Sequence, residues 1–293
     1  GAGGRDYTLN NGSPFTFAEY GNGIISLEEV DVILLSNFTN ALALPYFTEL
    51  STFKGKVFAT EPTAFIAKQL MRELVLHEEE VGRGGRSGIY GGAVGRGNNL
   101  HTSPFGAMRD GLYTMTDVES ACAKITIVSY QQVIEIESRT KIIPSSSGFS
   151  LGSANWTVQM GNAKLCMVGD TVLSNRFYAM PTTRLDNGEE YTKRKTGHPS
   201  EVCFTAMQNP THLVVCAPSL HPHLVPGDMV ARLSDNICAT IESGGSAIIP
   251  TPPAGIVFDL MEHLIEYIDT VGLPKVPIIF LSPVAHELFE YIN

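Results

Sequence analysis

Basic charge is scarce in this chain: 20 Lys and Arg stand against 30 Asp and Glu, a formal net charge of −10. A broad nucleic-acid surface is excluded on that ground, because neutralising phosphates takes clustered Lys and Arg. Any RNA contact has to be local or indirect. Paired cysteine is missing as well. The five cysteines, Cys122, Cys166, Cys203, Cys216 and Cys238, lie far apart without a C-x-x-C, which fits reduced thiols and an intracellular compartment better than a disulfide framework. No run reaches the ~18 uncharged apolar residues of a membrane helix, so no membrane partner is expected. The opening GAGGRDYTLNNG reads as neither a signal peptide nor a transit peptide. Two N-x-T sequons, at Asn37 and Asn155, are read as chance for the same reason. What is present is ordinary: 43% hydrophobic and 17% charged over 293 residues, enough for one large domain or two smaller ones with real cores.

From Val30 onward, strand-like apolar runs alternate with helical periodicity. VDVILLSN (30–37) and GKVFATEP (55–62) read as buried strands. PTAFIAKQLMRELVLHEEE (62–80) reads as an amphipathic helix with Ala64, Ile66, Leu70 and Leu74 near helical spacing. This order implies a layered α/β domain. Residues 82–99 form a Gly-rich stretch carrying Arg83, Arg86 and Arg96. It lacks the Gly-Lys-Ser/Thr of a phosphate-binding loop and reads as a linker-like insertion, with an Arg/Gly RNA contact as the alternative.

Thr116 and Glu119 have capping-box spacing and predict a helix start. KITIVSY, QVIEIES and NWTVQM alternate as half-buried antiparallel strands do, AKLCMVGD reads as a more buried strand, and IPSSSGFSLGSANW (143–156) as a Ser/Gly loop. THLVVCAPS predicts a buried strand before a Pro-rich corner. After that, helix, strand, helix, strand and helix are expected over 228–245, 246–252, 254–272, 276–282 and 283–292, with Gly244 and Gly272 as helix stops. The boundary between a first unit (1–222) and a second (223–293) is placed near His223 to Gly227.

Catalytic templates are absent. There is no G-x-S-x-G elbow, since Ser153 lacks the second Gly. No cysteine has a neighbouring His to lower its thiol pKa. His221 and His223 flank a proline without an acidic or thiol partner in sequence. His263 and His286 read as surface or interface residues on helices, and His77, followed by Glu78, Glu79 and Glu80, as a solvated helix end. The basic TKRKTG (192–197) reads as a loop, with a nuclear import signal as the alternative.

Five stretches nevertheless belong together: LSNFTNALALPYF at the end of a strand, FATEPT before a helix, SSGFSLGSANW, VGDT, and GGSAIIPTPPAGIVFDL further on. On these the chain resembles the metallo-β-lactamase/β-CASP nucleases over residues 26–293. The resemblance implies an αββα metallo-β-lactamase fold, incomplete here, followed by the first part of an α/β β-CASP domain. Active members carry H-x-H-x-D-H before Ala-Leu-Pro, a ligand set for zinc. Counting back from Ala43-Leu44-Pro45 places Leu35, Asn37, Thr39 and Asn40 at those positions. The family's Gly-His becomes Gly148-Phe149, its bridging acid remains as Asp170, and its last acidic position falls on Ala217.

The resemblance therefore implies no zinc or other cofactor, no catalytic residue and no hydrolysis. The implied protein is a non-catalytic partner of a catalytic paralogue in nuclear RNA 3′-end processing. A sister scaffold of the pre-mRNA cleavage and polyadenylation machinery is the second reading, and an active zinc-dependent hydrolase the third. Asp170 alone reads as a turn residue. Because family members carry further strands on both sides of this span, open sheet edges and dependence on a partner are expected.

Overall fold

In the computed structural model, the described residues are 26–49, 51–83, 113–136, 139–172, 182–184, 190–192, 200–216, 226–273 and 276–292. The apolar run after Val30 forms β1 (Val32–Leu34), which lies parallel to β2 (Lys56–Thr60). That strand in turn lies parallel to β3 (Ile125–Val128), giving a three-stranded sheet of order β1-β2-β3. Strand alternation divides the side chains between two faces. Val57 and Ala59 face a helical layer, while Phe58 and Val128 join Ile142, Ala154 and Trp156 of a second sheet. The helical layer is α3 (Glu61–Arg83) and α4 (Met115–Ala123), with two short helices, α1 (Phe38–Ala41) and α2 (Leu44–Thr48), following β1. Helix α3 buries Ile66, Ala67, Leu70, Met71 and Val75, the i, i+3/i+4 stripe expected of a helix on a sheet.

The second sheet comprises β4 (Ile134–Ile136), β5 (Thr140–Ser146), β6 (Ala154–Met160), β7 (Ala163–Val168) and β10 (His212–Val215), in the order β10-β7-β6-β5-β4. It stacks on the first sheet through Trp156, which is 2% exposed, so the molecule has a helix layer and two sheet layers. A separate hairpin pairs β8 (Thr182–Arg184) with β9 (Glu190–Thr192). The outer face of the second sheet is met by a 3-10 turn at Thr205–Met207, where the Thr157 hydroxyl donates to the Ala206 carbonyl at 3.5 Å. Layers and topology match an incomplete metallo-β-lactamase fold.

Several expectations need correction. β3 is parallel, because it joins the β1-β2 sheet and not the antiparallel one. Residues 140–146 are a full strand and not part of a Ser/Gly loop. Pro144 is tolerated there because its carbonyl accepts from Gln131 on the side where β4 has already ended, so the missing N–H breaks no ladder bond. Helix α4 starts two residues early: Thr114 and Asp117 form the reciprocal cap, and Glu119 instead pairs with Lys68 at 2.7 Å. β7 buries only Cys166. β10 is not buried either, since among the described strands it pairs only with β7 at the sheet's edge and leaves Leu213, Val214 and Val215 exposed.

The helices α5 (Pro226–Glu242), α6 (Ile256–Val271) and α7 (Ala285–Ile292) appear where periodicity places them, and Gly272 ends α6 in the left-handed region, its amide bonded to the Asp269 and Ile268 carbonyls. The segments 246–252 and 276–282, expected as strands, form no strand ladder among the described residues, leaving Ile248 and Leu281 about nine-tenths exposed. Leu288 of helix α7 and Val284 just before it are buried in the same core as α3, and Tyr291 stacks on Phe65 at 4.1 Å. The Gly-rich stretch beyond Arg83, the TKRKTG cluster beyond Thr192, and His221 and His223 lie outside the described residues.

Candidate functional site

Three loops converge at the ends of the two sheets: residues 35–40 after β1, 146–153 between β5 and β6, and 169–172 after β7. Backbone hydrogen bonds join them. The Ala154 amide donates to the Ser36 carbonyl at 2.7 Å, and the Val172 amide to the Ser147 carbonyl at 3.0 Å. An added Cβ on Gly148, at φ +71°, would lie 3.0 Å from the Val172 carbonyl, so this crossing needs glycine.

Asn37 is fully buried at the start of α1. Its Oδ1 accepts from the Asn40 amide at 3.0 Å, and its Nδ2 donates to Asp170 Oδ2 at 2.8 Å. Of the positions singled out in the sequence, the structure thus brings Asn37 and Asp170 into contact and ties Asn40 to them through its backbone. Thr39 and Asn40 are exposed. Phe149 is exposed too, and its amide donates to Ser147 Oγ at 3.4 Å. Leu35 belongs to the hydrophobic core and is 5% exposed. Ala217 lies outside the described residues.

The site's frame is built by residues whose motifs were legible but whose roles were not. Asn155, 1% exposed, accepts through Oδ1 from the Gly169 amide at 3.0 Å and from Thr171 Oγ1 at 3.1 Å, fixing the turn that presents Asp170. The Trp156 indole donates to the Leu35 carbonyl at 3.1 Å, pinning the end of β1. Thr60 donates to the Gly152 carbonyl at 2.5 Å. Gly152 sits at φ +82°, where a Cβ would come within 2.5 Å of the Thr63 amide nitrogen. Tyr130 donates to the Ser153 carbonyl at 2.8 Å, and burial pushes its phenol up to about 12, so the donor proton is retained at neutral pH. The ATEPT and LGSANW stretches are therefore a mutual brace. A buried Asn beside a Trp in an otherwise alternating strand is the signal that points to Asn155.

A fourth element closes over the loops. Gly255, just before α6, sits so that an added Cβ would be 3.5 Å from the Phe38 ring and 3.8 Å from Ser150 Cβ; Ala254 is 2% exposed in the core that includes Phe38. The arrangement does not fit zinc. A divalent zinc site wants about four N, S or O⁻ donors, whereas Asp170 supplies one carboxylate and one of its oxygens is taken by an amide N–H. Among the described residues, no group of three or more His, Cys, Asp or Glu could hold a metal ion.

The remaining candidates are scattered. His286 pairs with Glu290 at 3.4 Å on exposed helix surface, His263 stacks on Tyr267, and His77 is exposed. All five cysteines are free thiols, and Cys203 is held below its usual range by hydrogen bonding with Thr205. Both sequon asparagines, Asn37 and Asn155, are buried. Among the described residues, no helix is long and apolar enough to cross a membrane.

Residues 16–171 match the model of the metallo-beta-lactamase superfamily domain. The chain is 33% identical over 276 residues to Integrator complex subunit 9 of Homo sapiens, covering 92% of this chain and 38% of that protein. It is 32% identical over 285 residues to the Integrator complex subunit 9 homolog of Dictyostelium discoideum, covering 90% and 37%. To Endoribonuclease YSH1 of Candida glabrata it is 25% identical over 279 residues, covering 91% and 31%. It thus spans well under half the length of these relatives. With more than half its residues matched and the layered sheets in place, the chain belongs to the metallo-beta-lactamase superfamily.

Proposed function

We propose that this chain is part of a non-catalytic scaffold subunit of the Integrator complex, a pseudoenzyme that pairs with the complex's catalytic β-CASP endonuclease subunit, subunit 11, and with other Integrator subunits in the nucleus. Its role is to support small nuclear RNA 3′-end processing and transcription attenuation, with RNA contacted indirectly. The division into a metallo-β-lactamase-like unit over 1–222 and a partial β-CASP unit over 223–293 belongs to the same proposal.

The observation that carries it is the Asn37 Nδ2 to Asp170 Oδ2 hydrogen bond. The position aligned with a zinc ligand holds an amide that spends its N–H on the last carboxylate of the set. An activated water needs the metal's charge, and Leu35, Thr39, Asn40 and Phe149 supply no charged donor. The relatives' Integrator names support the assembly.

The test is reconstitution with the catalytic subunit. The chain co-purifies with it, and Asp170→Asn in this chain leaves RNA cleavage by the pair unchanged. Chelator-sensitive cleavage by this chain alone overturns the pseudoenzyme reading, and failure to associate overturns the pairing.

A further inference from the structure

The chain's negative charge is unevenly placed. From residue 226 onward, nine Asp and Glu face only Arg232 and Lys275, so most of the net charge of −10 lies in the last quarter of the sequence. On α5, Asp228, Asp235 and Glu242 are all exposed. They are seven residues apart, which returns each to nearly the same side of the helix. No described ion pair neutralises any of them.

The opposite wall of this face comes from α6. The Tyr267 hydroxyl donates to Asp235 Oδ1, so the Tyr267 side of α6 meets α5. Ile256 and Val271 fall on that same side, eleven residues before Tyr267 and four after it, and are 53% and 46% exposed. They are not core: α5 buries Val230, Ser234, Ile237 and Cys238, and α6 buries Val257, Leu264 and Ile268. One helix pair thus presents two exposed apolar residues, at the two ends of α6, on the side that meets α5, whose own exposed side carries three carboxylates and the single cation Arg232.

We propose that the α5–α6 face docks a basic amphipathic helix of a partner protein, with its apolar residues against Ile256 and Val271 and its Lys or Arg side chains along Asp228, Asp235 and Glu242. Charge complementarity selects this occupant. A nucleic-acid backbone is repelled by the same carboxylates, and a neutral helix leaves them without counter-charge. The surface goes beyond the scaffold reading and does not depend on the state of the cleft, so metal content and cleavage assays fail or succeed separately from it.

The experiment uses the full chain and a labelled synthetic helix with Leu at helical spacing flanked by Lys, read by fluorescence anisotropy. A Leu/Glu helix of identical spacing and a single-stranded RNA serve as competing probes. The Leu/Lys helix binds and the other two do not. Combining Asp228→Asn, Asp235→Asn and Glu242→Gln weakens it about tenfold, as does Ile256→Ser with Val271→Ser, while neutralising Glu28, Glu29 and Glu201 in the first unit leaves affinity unchanged. Asn at 235 keeps an acceptor for Tyr267, and the melting temperature of each variant reports its folding. Equal binding by wild type and the triple variant, equal loss in the first-unit control, or preference for RNA overturns the proposal. If the acidic variants unfold, the Ile256/Val271 variant decides it.

Discussion

Val32–Leu34 and the segment 276–282 are both short, β-branched and apolar, yet one is a paired strand and the other is not. β1 lies against β2, and its end is held by the Trp156 indole and by the Leu35 amide donating to the Phe58 carbonyl. The segment 276–282 has no ladder among the described residues. Phe280 packs edge-on against Phe289 at 5.3 Å and Ser282 reaches Glu73, while Ile279 and Leu281 point outward. Local sequence supplies the propensity; a neighbouring strand supplies the pairing that satisfies the backbone. The residues up to Val215 are braced between two sheets, whereas those from Pro226 onward contribute helices and leave the segments between them without a ladder among the described residues.

The largest effects should therefore fall on the brace. Trp156→Ala removes a fully buried indole between the sheets and should cost about 3–5 kcal/mol, and Gly152→Ala should be of similar severity, because the Cβ meets backbone at 2.5 Å in a left-handed conformation. Denaturant melts of the two variants measure this, and a loss under about 1 kcal/mol in both would break the comparison.

Next comes the hydrogen bond that joins Asn37 to Asp170 across two of the converging loops. Asn37→Ala removes both the cap on α1 and a hydrogen bond to a carboxylate, at about 1–3 kcal/mol. Asp170→Ala should cost less, since Asp170 is exposed and the Asn37 cap survives. A double-mutant cycle read by melting isolates the pair, and zero coupling would remove it as a brace.

A smaller effect depends on pH. Burial raises the Glu49 carboxyl, but hydrogen bonds from Lys124 at 2.7 Å and Ser120 at 2.8 Å outweigh it and hold the group below the usual carboxylate range. A depressed folded-state pKa contributes stability above the unfolded value and loses it as pH falls through the folded one. Glu49→Gln should therefore flatten the acid limb of a melting-temperature profile below the ordinary glutamate range and leave that slope unaltered near neutrality. An unchanged acid limb contradicts the assignment. The smallest change belongs to the open segment: Leu281→Lys should shift stability by no more than about 0.5 kcal/mol, because the side chain is already 89% exposed. A large loss would mean that the stretch is covered in solution.

Much of this architecture could be read from residue order. Periodicity located α3, α5, α6 and α7, and the FATEPT and LGSANW stretches marked the loops that meet. What stayed hidden depends on pairing between distant residues. β5 looks like a loop because Pro144 and two serines interrupt its apolar pattern, until its register against β6 gives the proline a side without a ladder partner. β10 reads as buried from Leu213, Val214 and Val215, but burial requires a sheet reaching across it, and β7 is its only neighbour among the described strands. At the converging loops, the residue identities suggest by resemblance which ligand positions are replaced. Only the fold reveals that Asn37 turns its amide onto Asp170 and that Leu35 faces the core.

The most direct test of that exchange is the metal content of the purified chain, measured by mass spectrometry after exposure to zinc and removal of loosely held ions. Because Asp170 already accepts from the Asn37 amide and, among the described residues, no group of three or more His, Cys, Asp or Glu could hold a metal ion, the protein should retain no stoichiometric metal, and Asp170→Asn should not alter the result. About two tightly held zinc ions per chain, lost on changing Asp170, would contradict it.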